Sequence, residues 1–310
     1  MENQIVNDIT EYIYAVNAYK SKRKSLSSMD YIKVFRGVSC VDYNYIPTIA
    51  RPLLDKKSII NTPLMLEDVM IQKAMLKMPE ILTDQVLPIR TITKLQHFGL
   101  PTRLLDFTTN ALVALFFACQ STRSRNLNKD GKVLICFENQ IQSCYSSKIN
   151  AIADMRQYSP WTTTPIQTYL EYLETKVYWR FSKAELENKF SIIDALRFPV
   201  FFYSEASTER IRRQQGLFLL FPTLIGPDLF NESEENNHLC LYDKLTEWNP
   251  AEATELIIPS KVKRKLIRDL GDLGINKSFL FPEPDRICED IFLETKDYMK
   301  SFGSNSDLDE

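Results

Sequence analysis

LQHFGLPTRLLDFTTNALVALFFAC, residues 95–119, is the stretch whose reading decides the fold. Its second half, Ala111 to Cys119, is apolar throughout, the mark of a helix buried on all sides. Its first half carries His97, Arg103, Asp106 and Asn110. A buried helix needs no such polar lead-in, whereas a site that holds a charged or amide-bearing ligand against a core helix does. The pattern predicts a helix over about 90–98 that stops at Gly99, where Gly-x-Pro is a C-terminal signal. Asn110 is a good N-cap for an apolar helix over 111–121.

Working outward, YIKVFRGV at 31–38 alternates and is rich in β-branched and aromatic residues, which predicts a strand. Residues 64–78 predict a helix ending at Pro79. Ile5, Ile9, Tyr12, Val16 and Tyr19 recur at helical steps, so 3–21 reads as an amphipathic helix, followed by a polar linker at 21–28. Downstream, a turn at Asp130-Gly131 leads into a buried strand at 132–138. Residues 164–195 read as mostly helical, with a Ser182–Glu185 spacing that resembles a capping box. FPVFFYSE (198–205) and GLFLLFP (216–222) are short apolar strands with the basic turn RIRRQQ between them. An acidic surface loop at 231–238, then a strand, a proline and a basic amphipathic helix to about 272 complete the pattern, and 301–310 reads as a disordered tail. Helices and strands interleave without regular alternation and no internal repeat is present, so the expected class is α+β, with helices around a small, mainly antiparallel sheet.

Composition narrows the function classes. The chain has 310 residues, 44% of them hydrophobic, with 38 Lys and Arg against 40 Asp and Glu. A net charge of −2 gives no electrostatic argument for a nucleic-acid or membrane-surface partner, although it leaves a local nucleic-acid contact open. No apolar run approaches the roughly 18 residues of a membrane span, and MENQIVNDITEYIY has no signal-peptide core. The six cysteines (40, 119, 136, 144, 240 and 288) lie far apart without a CxxC pair, and there are two histidines. Reduced thiols, no metal site and a cytoplasmic location are the expectations. The oligomeric state is not written in the pattern.

Three segments carry a resemblance to a known family. VFRGVS at 34–39 contains Phe35, Arg36 and Gly37; QHFGLPTRLLDFTTNALVALFFA at 96–118 is long and specific; and RIRRQQGLFLLFP at 210–222 is followed by IIPSKVKRKLIRDLGDLGINKSFLFP at 257–282. Together they resemble the FRG domain, named for a Phe-Arg-Gly motif. The resemblance implies an FRG domain over 29–300, preceded by an N-terminal helix and linker at 1–28 and followed by the tail at 301–310. Ala111 stands where the family is expected to favour proline, which loses a pre-organised first helical turn.

The order of an Arg on a first strand, a Ser/Thr-rich second element and a late strand also resembles the ADP-ribosyltransferase superfamily, which implies NAD as substrate. In that reading Arg36, with Gly37, grips a pyrophosphate or ribose bidentately. Arg103 contacts a phosphate, Asp106 orients Arg36 or His97, and Thr108 and Thr109 hold the nicotinamide ribose. His97 and Gln215, beside Gln214, stand at the reacting centre. The acid expected on the late strand is replaced by Gln214 and Gln215, which cannot act as a general base. His97 is the substitute, since its ordinary pKa lies near a general base's working range. Each residue has a plainer reading. His97 can cap its helix and bond a carbonyl, Arg103 and Asp106 can form a local ion pair, Asn110 can be only a cap, and Arg210, Arg212 and Arg213 can be a solvated face. Two functions follow: an ADP-ribosyltransferase-like enzyme handling NAD or a related nucleotide, with an unknown macromolecular acceptor and by analogy a toxin or anti-phage role, or a non-catalytic module binding a nucleotide or partner. A nuclease has weaker support, because no acidic metal cluster accompanies His97 and Asp106.

Overall fold

The computed structural model describes residues 3–20, 31–51, 62–82, 87–120, 128–158, 164–180, 189–205, 208–227, 239–250 and 252–284, with short helical pieces at 287–288, 291–292 and 295. The strands are β1 (Asn3–Ile5), β2 (Ile32–Val38), β3 (Leu104–Thr108), β4 (Gly131–Glu138), β5 (Gln142–Ser143), β6 (Thr164–Pro165), β7 (Val200–Tyr203), β8 (Gly216–Leu220), β9 (Leu224–Pro227), β10 (Leu239–Tyr242) and β11 (Ala253–Ile258). The helices are α1 (Ile9–Ala18), α2 (Pro63–Lys77), α3 (Pro79–Leu82), α4 (Pro88–His97), α5 (Ala111–Cys119), α6 (Ser147–Asp154), α7 (Ile166–Glu174), α8 (Lys189–Arg197), α9 (Glu209–Arg213), α10 (Lys263–Asp272) and α11 (Lys277–Leu280).

The class is α+β as expected, but the sheet is not small. Eight strands run in the order β1-β11-β4-β2-β3-β8-β7-β5, antiparallel except at β1–β11 and β7–β5, and β6, β10 and β9 form a second sheet. Among the strands that sequence analysis did not mark, β3 lies in the middle of the decisive stretch. Leu104, Leu105, Phe107 and Thr108 are buried and only Asp106 is exposed, so the two-residue alternation that announces a strand is lost.

Register divides the side chains between two faces. On one face, Val34, Leu105, Phe107, Leu134, Leu217 and Leu219 pack under Tyr45, Ile49 and Leu245. The other face carries two separate helical layers. Helices α1, α5 and α10 cover Phe35, Val133, Ile135 and Leu256, while α2, α4, α6, α7 and α8 cover Leu104, Phe202, Phe218 and Leu220. The boundary between the two layers falls over β2 and β3, which pair at Phe35–Thr108 alone.

Asn110 caps α5 as the sequence predicts. Its side-chain oxygen accepts from the backbone N–H groups of Leu112 at 3.0 Å and Val113 at 3.3 Å. The helix therefore starts well with Ala111 rather than proline at its first position. Asn110→Ala should cost about 1 kcal/mol of unfolding free energy, read from the midpoint of chemical denaturation; an unchanged midpoint would remove the cap from the account.

Three expectations need correction. Residues 3–5 are a strand, not helix: they pair with β11, and α1 begins only after Asp8, whose carboxylate accepts from Glu11 N–H at 2.9 Å. The predicted turn RIRRQQ holds helix α9, capped by the Thr208 hydroxyl. Within 164–195 the described residues begin with β6, followed by α7 and then α8. The Ser182–Glu185 capping box, the linker at 21–28, the acidic stretch 231–238 and the tail 301–310 lie outside the described residues. No helix among the described residues is long and apolar enough to cross a membrane. All six cysteines are free thiols, five of them buried and Cys288 exposed.

Candidate functional site

Because the helical layers part above β2 and β3, the sheet there is uncovered, and a cleft of about 300 Å³ opens. Its floor is β2 and β3, with Arg36, Gly37, Asp106 and Thr108; α4 supplies Thr93, Gln96 and His97; α5 supplies Phe117; α9 and its end supply Arg210, Ile211 and Gln214. Asp106 points to the same side of the sheet as Leu104 and Phe218, yet it is exposed, since it lies in the gap between the layers. A carboxylate without a cationic partner is tolerated at a central strand position where such a gap exists.

Arg36 takes up the place where β2 and β3 separate. Its Nη1 donates to the main-chain oxygen of Asp106, and the guanidinium lies 5.8 Å from the Phe107 ring centroid. Burial lowers its pKa from the ordinary arginine value and the Asp106 carboxylate opposes that shift; arginine keeps its charge regardless. Its Nε is buried and has no partner among the described residues. Gly37 has a packing role in addition to lining the cleft, because a Cβ there would lie 1.8 Å from the Ala114 carbonyl oxygen.

The Asp106 carboxylate accepts from Gln96 Nε2 at 2.7 Å, and the Thr102 hydroxyl donates to Gln96 Oε1. The carboxylate thus meets Gln96 rather than His97; of the two residues that Asp106 was expected to orient, Arg36 or His97, Arg36 is the one bonded to it, through the Asp106 main-chain oxygen. His97 is partly buried. Burial first and Arg210 second lower its pKa, with Glu283 opposing them, which favours the neutral ring. Glu283 Oε1 lies 3.8 Å from His97 Nε2 and 3.9 Å from Arg210 Nη1.

Other predicted residues serve the scaffold. Arg103 is fully buried and is bound to Glu67 of α2, not to Asp106: Nε meets Glu67 Oε2 at 2.9 Å, Nη1 donates to the carbonyls of Ile152 and Phe221, and Nη2 to that of Ala153. A three-residue step along a strand sends side chains to opposite sides, so the helical spacing argument for an Arg103–Asp106 pair fails. Arg103 therefore does not reach the cleft as a phosphate contact. Thr108 lines the cleft, but its hydroxyl already donates to Gln214 O at 2.7 Å and accepts from Asn110 N–H at 2.9 Å. Thr109 and Gln215 are not on the cleft wall. They are joined by a main-chain bond from Thr109 N–H to Gln215 O, and Gln215 turns the chain with φ of 46°. Gln214 donates its amide to Leu280 O at 3.0 Å.

Sequence reasoning passed over Thr93, Gln96, Phe117 and Glu283. Thr93, Gln96 and His97 occur at i, i+3 and i+4, a polar stripe on one face of α4 that could have been read. Glu283 had no local signal. Among the described residues no group of three or more His, Cys, Asp or Glu could hold a metal ion.

No curated protein and no solved structure matches the chain. The model of the FRG domain family matches residues 32–127. That stretch contains β2, α4, β3 and α5, which is to say Phe35–Arg36–Gly37, His97 and Asp106 on the floor and one wall of the cleft. The chain carries an FRG domain, and that domain builds the larger part of the site.

Proposed function

We propose that the cleft binds a nucleotide of the NAD type and breaks its nicotinamide glycosidic bond. The observation that supports this most is the meeting of two guanidinium groups (Arg36 and Arg210), a neutral imidazole, one carboxylate and apolar ring surface in a single uncovered gap of the sheet. Arg36, with its Nε unpartnered, and Arg210 suit a pyrophosphate. Phe117 and Phe218 suit the edge of a planar base. The volume is at the lower end of the roughly 300–1,000 Å³ of small-molecule sites, so one nucleoside with its phosphates occupies the cleft and the rest of a dinucleotide lies outside.

Asp106 supplies the charge that Gln214 and Gln215 lack. As the C1′–N bond breaks, both electrons pass to the ring nitrogen and nicotinamide leaves neutral, while Asp106 stabilises the positive charge that develops on the ribose. An oxygen nucleophile, from water or a macromolecular acceptor, bonds to C1′, and its proton passes to His97. Turnover of this kind fits a toxin or anti-phage effector, a role that rests on analogy.

NAD at about tenfold above its dissociation constant should stabilise the fold by about 1.4 kcal/mol, visible in a melting scan. Arg36→Ala should lose the shift and any nicotinamide release; full retention of both would remove Arg36 from the site. A second reading has one observation in its favour, the absence of a carboxylate at Gln214. A shift without nicotinamide after prolonged incubation would select that reading, a nucleotide-binding module without turnover.

A further inference from the structure

The end of α11 and Phe281, which follows it, are bound to the cleft's far wall by several contacts. Gln214 Nε2 donates to Leu280 O at 3.0 Å, and Arg213 Nη1 to Phe279 O at 3.3 Å. The Arg210 guanidinium stacks 4.7 Å from the Phe281 ring, which in turn meets Phe117 edge-on at 6.0 Å. These contacts deliver Glu283 to the rim of the cleft, from far outside the stretch that the family model matches.

The carboxylate lies between two nitrogen groups at nearly equal distances, 3.8 Å from His97 Nε2 and 3.9 Å from Arg210 Nη1. Both are ion-pair distances and too long for hydrogen bonds. Its other oxygen, Oε2, is buried and has no hydrogen-bond partner among the described residues. A buried carboxylate oxygen without a donor is costly, which favours any added positive charge beside this carboxylate. The oxygen that faces His97 is Oε1, and an imidazole protonated on both nitrogens brings a charged donor to that carboxylate.

We propose that Glu283 is a positioning residue of the cleft, whose carboxylate holds Arg210 against the rim and draws the imidazolium of His97 towards itself once that ring takes a proton. The inference rests on the reading of His97 as the proton acceptor. Without Glu283, a protonated His97 would face Arg210 directly, with Arg36 on the cleft floor and Lys94 on its own helix, against Asp106 as the remaining acid. Glu283 removes that like-charge penalty and leaves the neutral ring free to act.

The test needs no substrate, which separates it from the fate of the NAD reading. The chain has two histidines, His97 and His238. Their ring carbon-bound protons can be followed by NMR through a pH titration of the full chain, with His238→Asn to assign the lines. In Glu283→Gln the midpoint of His97 should fall. In Glu283→Asp, which keeps the charge one methylene further off, the midpoint should lie between wild type and Glu283→Gln. An unchanged or raised His97 midpoint in Glu283→Gln overturns the proposal. Should Glu283→Gln fail to fold, the comparison of Glu283→Asp with wild type decides: a lowered midpoint supports the role, and an identical one overturns it. A lowered midpoint in a protein that releases no nicotinamide from NAD leaves Glu283's role standing and removes the proposed reaction.

Discussion

Arg103→Met should destabilise the protein by about 3–5 kcal/mol, the cost of breaking a buried ion pair by removing one partner. Arg103 is 0% exposed and Glu67 1% exposed, so the carboxylate left behind cannot turn to water. The loss extends beyond the pair. Glu67 Oε1 also accepts the Arg103 backbone N–H at 3.2 Å, and the guanidinium satisfies the carbonyls of Ile152 and Ala153 at the C-terminal end of α6 and that of Phe221 beyond β8. One side chain thus ties α2, α6 and the ends of β3 and β8 together. Arg103→Met with Glu67→Leu should recover part of the loss, because the orphaned charge is gone, but not all of it, because the carbonyls remain without their donor. Equilibrium denaturation of both variants checks this. A loss below about 1 kcal/mol in the single variant would show that the clamp contributes little.

Gly37→Ala should have the second large effect. Its new Cβ would lie 1.8 Å from Ala114 O, 2.7 Å from Ala114 C and 2.9 Å from Ala118 N, all main-chain atoms of α5. No side-chain rotation relieves such contacts, so α5 has to move off β2, at a cost of at least about 1–3 kcal/mol by analogy with overpacked cores. The same movement would carry Phe117 out of the cleft wall, so ligand binding should fall together with the melting temperature. Gly271→Ala is the control of opposite sign. It lies in α10 with nothing within 4 Å of the added methyl, and should stabilise by about 0.5–1 kcal/mol. If Gly37→Ala melts like wild type, the close approach of α5 to β2 is not what requires glycine there.

These two residues show what the Phe-Arg-Gly and Pro-Thr-Arg motifs encode. Phe35 is buried under α5, Arg36 spans the gap to Asp106, and Gly37 admits the helix; Arg103 is a clamp that never sees the cleft. A short motif that looks like a set of ligand contacts is therefore largely a set of packing requirements, with Arg36 as its charged group on the cleft lining.

Some of this protein was determined by local sequence. The apolar run 111–119 with Asn110 before it specified α5 and its cap, the alternation at 31–38 specified β2, and the FRG resemblance was carried by residues close together in the chain. Capping, periodicity and turn signals act within a few residues, which is why they could be read. Tertiary structure alone decided the rest. The partner of Arg103 is Glu67, 36 positions away; β3 is buried on both sides and so hides its own period; and Glu283 reaches His97 only because α11 is packed against α9. Which charges meet is settled by where two helical layers part over a sheet, and that boundary depends on long-range packing that no local pattern records.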